Sequence, residues 1–299
     1  MANRDLQEVP KYSDKWSFLY FEKGRIEQYR QSISYEYLDK IVPVPVETLA
    51  LLMLGPGTTI THAAMNTISQ SRCNVAWVGE NGVKFYGFAQ SATYSSRNIL
   101  RQVDCLKDEK EKMRIVRTMY SLRFPEIVAA DITLEQLRGK EGSRVRMAYK
   151  TLAEEYGVEW QGRNYNQNNW KSADPLNRAL SAANSCLYGL CQAAIVSLGC
   201  SAALGFVHSG KQLSFVYDIA DLYKVDITVP IAFAAGSPET LENSKKQPES
   251  IARHLCRDQF REKKLLKKIV KDILRLLYGD TDIGTDDDIT EGSDVAVNY

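Results

Sequence analysis

Cysteine chemistry is the first thing this chain lacks. Its six cysteines (Cys73, Cys105, Cys186, Cys191, Cys200, Cys256) form no C-x-x-C pair. That removes the common zinc spacings and the thioredoxin-type redox motif. No apolar secretory stretch opens the sequence, since Met1 to Asp14 is polar and charged, so the thiols read as reduced and buried in a cytoplasmic protein. A P-loop, a Rossmann glycine fingerprint and a G-x-S-x-G elbow are all missing, which excludes the commonest nucleotide-binding and serine-hydrolase signatures. Charge is absent between Arg178 and Lys211. The many small and polar residues there (Asn184 and Gln192 among them) point to a tightly packed internal helix, and no membrane partner is expected.

Basic residues are absent from the last 21 positions, Gly279 to Tyr299, which hold seven acidic ones. The net charge of +1 therefore conceals a body of +8. A basic body with an acidic tail suits a protein that binds a polyanion, although a solubilising tail has the same composition.

What is present divides in two. Short runs rich in β-branched, aromatic and aliphatic residues occupy Trp16 to Phe21, Arg25 to Tyr29, Ile33 to Tyr37, Thr48 to Leu54, Asn74 to Gly79 and Gly82 to Phe88. Turn residues separate several of them, and one helix is expected from Thr61 to Ser71. From Asn98 the apolar spacing becomes helical, with helices expected at Thr133 to Tyr156, Asp174 to Leu198, Ser214 to Val225 and Glu249 to Leu277. The expectation is an α+β protein: a β-sandwich over 1–91 that serves dimerisation, an all-α catalytic domain over 92–278, and an acidic, disordered tail over 279–299. The helix near Ile251 to Leu277 is crowded with Lys and Arg, as a solvated face or a phosphate-binding one would be.

Two places carry chemistry. Glu141 falls inside the helical stripe Leu134, Leu137, Val145, Ala148, Leu152. A carboxylate there needs either a buried cation or a metal, because leaving it unpaired would cost several kcal/mol. The second place is Gly205-Phe206-Val207-His208, followed closely by Asp218 and Asp221. Aspartates three apart share a helix face, and two carboxylates together invite a cation. Carboxylates with one imidazole suit a hard divalent ion, Mg²⁺ or Mn²⁺. His62 and His254 read as structural.

The segment Gln136-Leu137-Arg138-Gly139-Lys140-Glu141-Gly142-Ser143-Arg144-Val145-Arg146 resembles the CRISPR-associated integrase family, in the subtype that serves Cascade-type (type I-E) systems. The segments Gly205 to His208 and Leu213 to Asp221, Pro56-Gly57-Thr58, His62-Ala63-Ala64 and Cys256-Arg257-Asp258 extend the resemblance over roughly residues 15–277. It implies a homodimer that works with a small ferredoxin-like CRISPR-associated protein. It implies a metal triad of Glu141, His208 and Asp221 with Asp218 beside it. The substrates it implies are double-stranded DNA with 3′ overhangs and CRISPR repeat DNA, joined by 3′-hydroxyl attack, and the same site would cut branched DNA. It also implies DNA contacts at Lys84, Arg163, Tyr165, Tyr188, Lys211, Tyr217 and Lys224. The family's aromatic wedge aligns with Lys23, Thr59 and Asn66 stand where basic residues are expected, and the acidic tail differs from the proline-rich tails of this subtype. A free-standing metal nuclease and a non-catalytic DNA-binding scaffold are the competing readings.

Overall fold

The computed structural model describes residues 12–80, 85–89, 95–124, 132–162 and 173–280. Eight strands open the chain: β1 (Trp16–Phe21), β2 (Arg25–Tyr29), β3 (Ser32–Tyr37), β4 (Lys40–Val44), β5 (Leu49–Leu54), β6 (Thr59–Ile60), β7 (Asn74–Val78) and β8 (Phe85–Ala89), with helix α1 (His62–Gln70) before β7. They form two four-stranded sheets, ordered β1-β5-β7-β8 and β4-β3-β2-β6. The first sheet is parallel from β1 through β7 and closes with antiparallel β8. The second is an antiparallel meander to which β6 adds in parallel. Edge strand β4 lies outside the expected strands; of the last expected strand, Gly82 to Phe88, residues 82–84 lie outside the described residues and Phe85 to Phe88 are strand.

Strand β5 explains how the halves join. All six of its residues are buried, as an unbroken apolar run predicts for a strand covered on both faces. Leu49, Leu52 and Leu54 pack with Ile26, Ile33, Ile68 and Val75 between the sheets and α1. Leu51 and Met53 face the other way, into a larger core shared with the helices.

Ten helices in all are described. After α1 come α2 (Arg97–Lys107), α3 (Glu109–Arg123), α4 (Leu134–Glu155), α5 (Pro175–Ser197), α6 (Ser214–Asp221), α7 (Val229–Gly236), α8 (Pro238–Asn243), α9 (Pro248–Glu262) and α10 (Leu265–Tyr278). The uncharged stretch forms α5, capped by Asp174 with Pro175 in its first turn. It is apolar and long enough to cross a membrane, yet 89% of that window is buried within the protein. It packs against α7, α9, α6, α10 and β5. Gly189 permits the closest approach to the sheet, since a Cβ there would stand 3.0 Å from Leu51 Cδ2 and 3.2 Å from Phe85 Cζ.

Two expected helices are corrected. Glu249 to Leu277 is two helices, broken where Lys264 takes a left-handed conformation (φ 47°). The expected helix from Ser214 to Val225 ends at Asp221, and a π-helical turn over Lys224–Thr228 leads into α7. Such wide turns recur beside functional sites.

Candidate active site

His208 sits in the loop before α6, and the sequence around it dictates its placement. Gly205 is the pivot: a Cβ there would lie 2.4 Å from the His208 carbonyl oxygen and 2.9 Å from Asp218 Oδ2. With that space free, the loop folds its amides onto Asp218. Phe206 N–H (2.5 Å) and Val207 N–H (3.0 Å) donate to Oδ2, and His208 N–H (2.8 Å) donates to Oδ1. The Asp218 side chain is wholly buried, and these bonds satisfy its charge.

Asp218 Oδ1 also lies 2.7 Å from His208 Nδ1. A carboxylate only accepts, so Nδ1 carries the proton and neutral His208 keeps a lone pair on Nε2. That Nε2 lies 3.8 Å from Asp221 Oδ2. The i, i+3 aspartates thus take His208 between them rather than facing each other across a shared cation, and Asp218 is turned to the loop. The Asp218 hydrogen bond outweighs partial burial and, with Asp221, raises the His208 pKa.

Glu141 lies on α4, which starts at a Thr133–Gln136 capping box. Arg138, one turn earlier on that helix, donates to the Val207 carbonyl (3.0 Å), tying α4 to the histidine loop. Of the two partners the sequence allowed for Glu141, the structure supplies the cation. Arg123 at the end of α3 pairs with Oε1, and the buried Tyr120 hydroxyl donates to Oε2 (3.1 Å). Burial and then Glu141 raise the Tyr120 pKa. Asp221 is treated alike: Lys224 Nζ lies 2.6 Å from its Oδ1. Burial opposes the Lys224 charge, but Asp221 and Tyr188 raise its pKa overall.

Glu141 and Asp221 nevertheless line one small cavity together with Arg123, Arg144 and Asp226. Its volume of about 10 Å³ is the room one water or one small ion takes. Among the described residues, no three His, Cys, Asp or Glu side chains, the expected triad of Glu141, His208 and Asp221 included, stand close enough together to hold a metal ion as they are placed. The donors fit a hard divalent ion in kind: two carboxylates drawing cations around one cavity, and an imidazole with its lone pair freed by Asp218.

Around His208 the structure gathers four of the residues expected at DNA. Tyr217 meets Tyr188 edge to face at 5.3 Å and His208 at 5.9 Å. Lys211 lies 6.0 Å from the Tyr217 ring centre, and Lys224 4.8 Å from that of Tyr188. Lys84, Arg163 and Tyr165 lie outside the described residues. Tyr120 and Arg123 were missed, because nothing local in the sequence points from α3 to Glu141. His62 is exposed, and exposed His254 bonds its own helix through the Ser250 carbonyl.

The fold has a counterpart among solved structures. The crystal structure of TtCas1 matches at a TM-score of 0.79 with 43% identity, covering 89% of this chain and 99% of that one. A TtCas1–DNA complex matches at 0.66 with 45% identity, covering 91% and 100%. Two stacked sheets on a helical domain make this an α+β protein of the same fold as those structures. The sequence profile described as CRISPR associated protein Cas1 matches residues 19–130 and 123–263. A Thermus thermophilus protein named CRISPR-associated endonuclease Cas1 2 is 45% identical over 276 residues, 92% of this chain and 83% of its own. The chain belongs to the Cas1 family.

Proposed function

We propose that this chain is a metal-dependent DNA endonuclease and integrase of the type I-E kind. It inserts short captured DNA into a CRISPR array by 3′-hydroxyl attack on repeat-end phosphodiesters, and it cuts branched DNA with the same site. The observation that carries this reading is the convergence of Glu141 and Asp221 on one ion-sized cavity, with His208 Nε2 aimed at Asp221. Glu141, His208 and Asp221 would hold Mg²⁺ or Mn²⁺, which polarises a scissile phosphate and offsets its developing charge.

The chain's own residues do the rest. Asp218 fixes the histidine tautomer. Exposed Lys211 offers a cation to phosphate, while Lys224, the other lysine expected at DNA, is paired with Asp221. Tyr188 and Tyr217, half-buried beside His208, offer ring faces on which an overhanging base can stack, worth about 1–3 kcal/mol per base. A relative solved in complex with DNA supports DNA as the ligand. The resemblance over residues 15–277 supports the rest of the setting: a homodimer, a small ferredoxin-like partner, 3′-overhang duplexes and repeat DNA.

The Arg123–Glu141 pair favours a second reading, a DNA-binding scaffold without catalysis. Labelled donor duplex and a repeat-containing plasmid separate the two. An integrase joins them covalently only when the donor has a 3′-hydroxyl, and it stops in EDTA. Asp221→Ala should abolish joining while DNA binding persists. Joining that survives Asp221→Ala or chelation would sink the proposal. Plasmid cutting without joining would leave a nuclease only.

A further inference from the structure

Charge in this chain is segregated, and the border lies at the end of α10. Beyond it, residues 279–299 carry seven acids and no base. Asp280, the first of those acids, already turns back onto the helix: its carboxylate lies 2.5 Å from Arg275 Nε and 3.1 Å from Nη2. Just upstream, Arg261, Lys263, Lys264, Lys267, Lys268 and Lys271 are all exposed along the outer face of α9 and α10. Lys267 pairs with Asp14 at 3.3 Å. At the corner between the two helices lies a cavity of about 330 Å³, lined by Asp14, Trp16, Arg261, Lys264 and Lys267 among others.

Six acids remain past Asp280, against six exposed cations. Reach is ample. Nineteen residues span up to ~60 Å when extended, against ~21 Å for the fourteen-residue helix. We propose that residues 281–299 dock within the same molecule on the cationic face of α9 and α10, standing in for a phosphate backbone there.

The docked tail would compete with DNA, and this consequence rests on the DNA-processing reading above; the docking does not. Buried Tyr223 links the face to the chain segment that carries Asp221. Lys268 Nζ lies 5.5 Å from the ring centre of Tyr223, which stands between Asp221 and Lys224 in the chain and donates to Asp272 on α10 (2.6 Å). A duplex running from the site onto α10 would meet the same lysines. Occupied by carboxylates, they release no counterions to an incoming strand, so weak or non-specific DNA is refused first.

Carbodiimide coupling, which joins only touching carboxylates and amines, tests the docking on the full chain at low salt without DNA. Amides from Asp282, Asp286 to Asp288, Glu291 or Asp294 to Lys263, Lys267, Lys268 or Lys271 are expected, in a yield that does not change on dilution. Couplings spread evenly over all surface lysines, or none to α10, overturn the docking. The competition is read on a full chain with those six acids changed to Asn or Gln. Short-duplex affinity at low salt should rise about tenfold, and Lys263→Gln, Lys267→Gln and Lys271→Gln should remove that gain. A gain that survives the lysine changes reflects net charge alone and overturns the competition. The α10 couplings with no DNA binding by either form would leave the docking standing and remove the DNA reading instead.

Discussion

At the scale of single residues the site is held by two kinds of partner, one that aims and one that competes. Asp218 aims. Its removal as Asp218→Asn puts an amide N–H₂ where two of four donors now find an oxygen, and it frees the His208 ring to turn. Mn²⁺ affinity, measured by titration with electron paramagnetic resonance, should fall roughly 10–100-fold, as it does when a ligand histidine loses its outer carboxylate. Unchanged affinity would mean that His208 is not a ligand. Arg123 competes, because its guanidinium holds the oxygen a metal would take. Arg123→Gln should tighten Mn²⁺ binding by about threefold to tenfold, or ~1 kcal/mol for one partly screened charge. Weaker binding would make Arg123 an orienting group. The pH dependence has a definite sign. The Asp218 bond lifts His208 above its ordinary 6.5, so as pH falls the imidazole protonates early and metal binding should fade from above pH 6.5. The metal-free protein behaves oppositely: the stabilisation from charged His208 is full below its unfolded pKa and lost as pH rises through the folded one. Glu141, His208 and the aspartate pair were legible because each interrupts an apolar pattern that a core would keep. Arg123 and Tyr120 were not, since their role exists only once α3 lies against α4.

At the scale of elements, the strands and helices that declared themselves were those whose burial follows a clean period. β1, β2, β5, β7, α1, α4 and α5 lie within a residue or so of where their patterns put them. β4 did not declare itself, because Ile41 and Val42 are both exposed and Pro43 follows them on an edge strand, the one place in a sheet that tolerates proline. The division of α9 from α10 was hidden for a different reason. Apolar and basic spacing runs on through Glu262 to Leu265, and the residue that breaks the helix is Lys264 rather than a glycine. Small residues gave the packing clue instead. The uncharged, alanine-rich α5 is the pillar on which both halves rest, and Gly189 is its contact with β5. Gly189→Val places branched carbons where even a Cβ is tight, and overpacking of this kind costs ~1–3 kcal/mol. The midpoint of urea unfolding should drop accordingly. An unchanged midpoint would show that the sheet and helix are less intimately joined than a Cβ only 3.0 Å from Leu51 Cδ2 demands.

At the scale of the whole molecule, the decisive property is where charge lies relative to the pocket. The pocket itself carries paired ions: Arg123 with Glu141, Lys224 with Asp221, and Arg144 facing Asp226 at 3.6 Å. Affinity for DNA cannot come from groups already neutralised, so it must come from the unpaired cations around the pocket and along α9 and α10. If six of them meet phosphates once the six tail acids are changed to Asn or Gln, raising salt from 50 to 200 mM should weaken duplex binding by about a thousandfold, a log–log slope near −5. Each exposed lysine removed from α10 should then flatten that slope by about one unit, whatever the DNA sequence. Asp221→Ala should leave the slope intact, because it acts on the reaction and not on the phosphate track. The measurement is a fluorescence titration of duplex at four or more salt concentrations, in chelator, so that no divalent ion contributes. A slope near zero would show that backbone phosphate is not what this surface holds, and the basic face of α9 and α10 would then be no more than a solvated one.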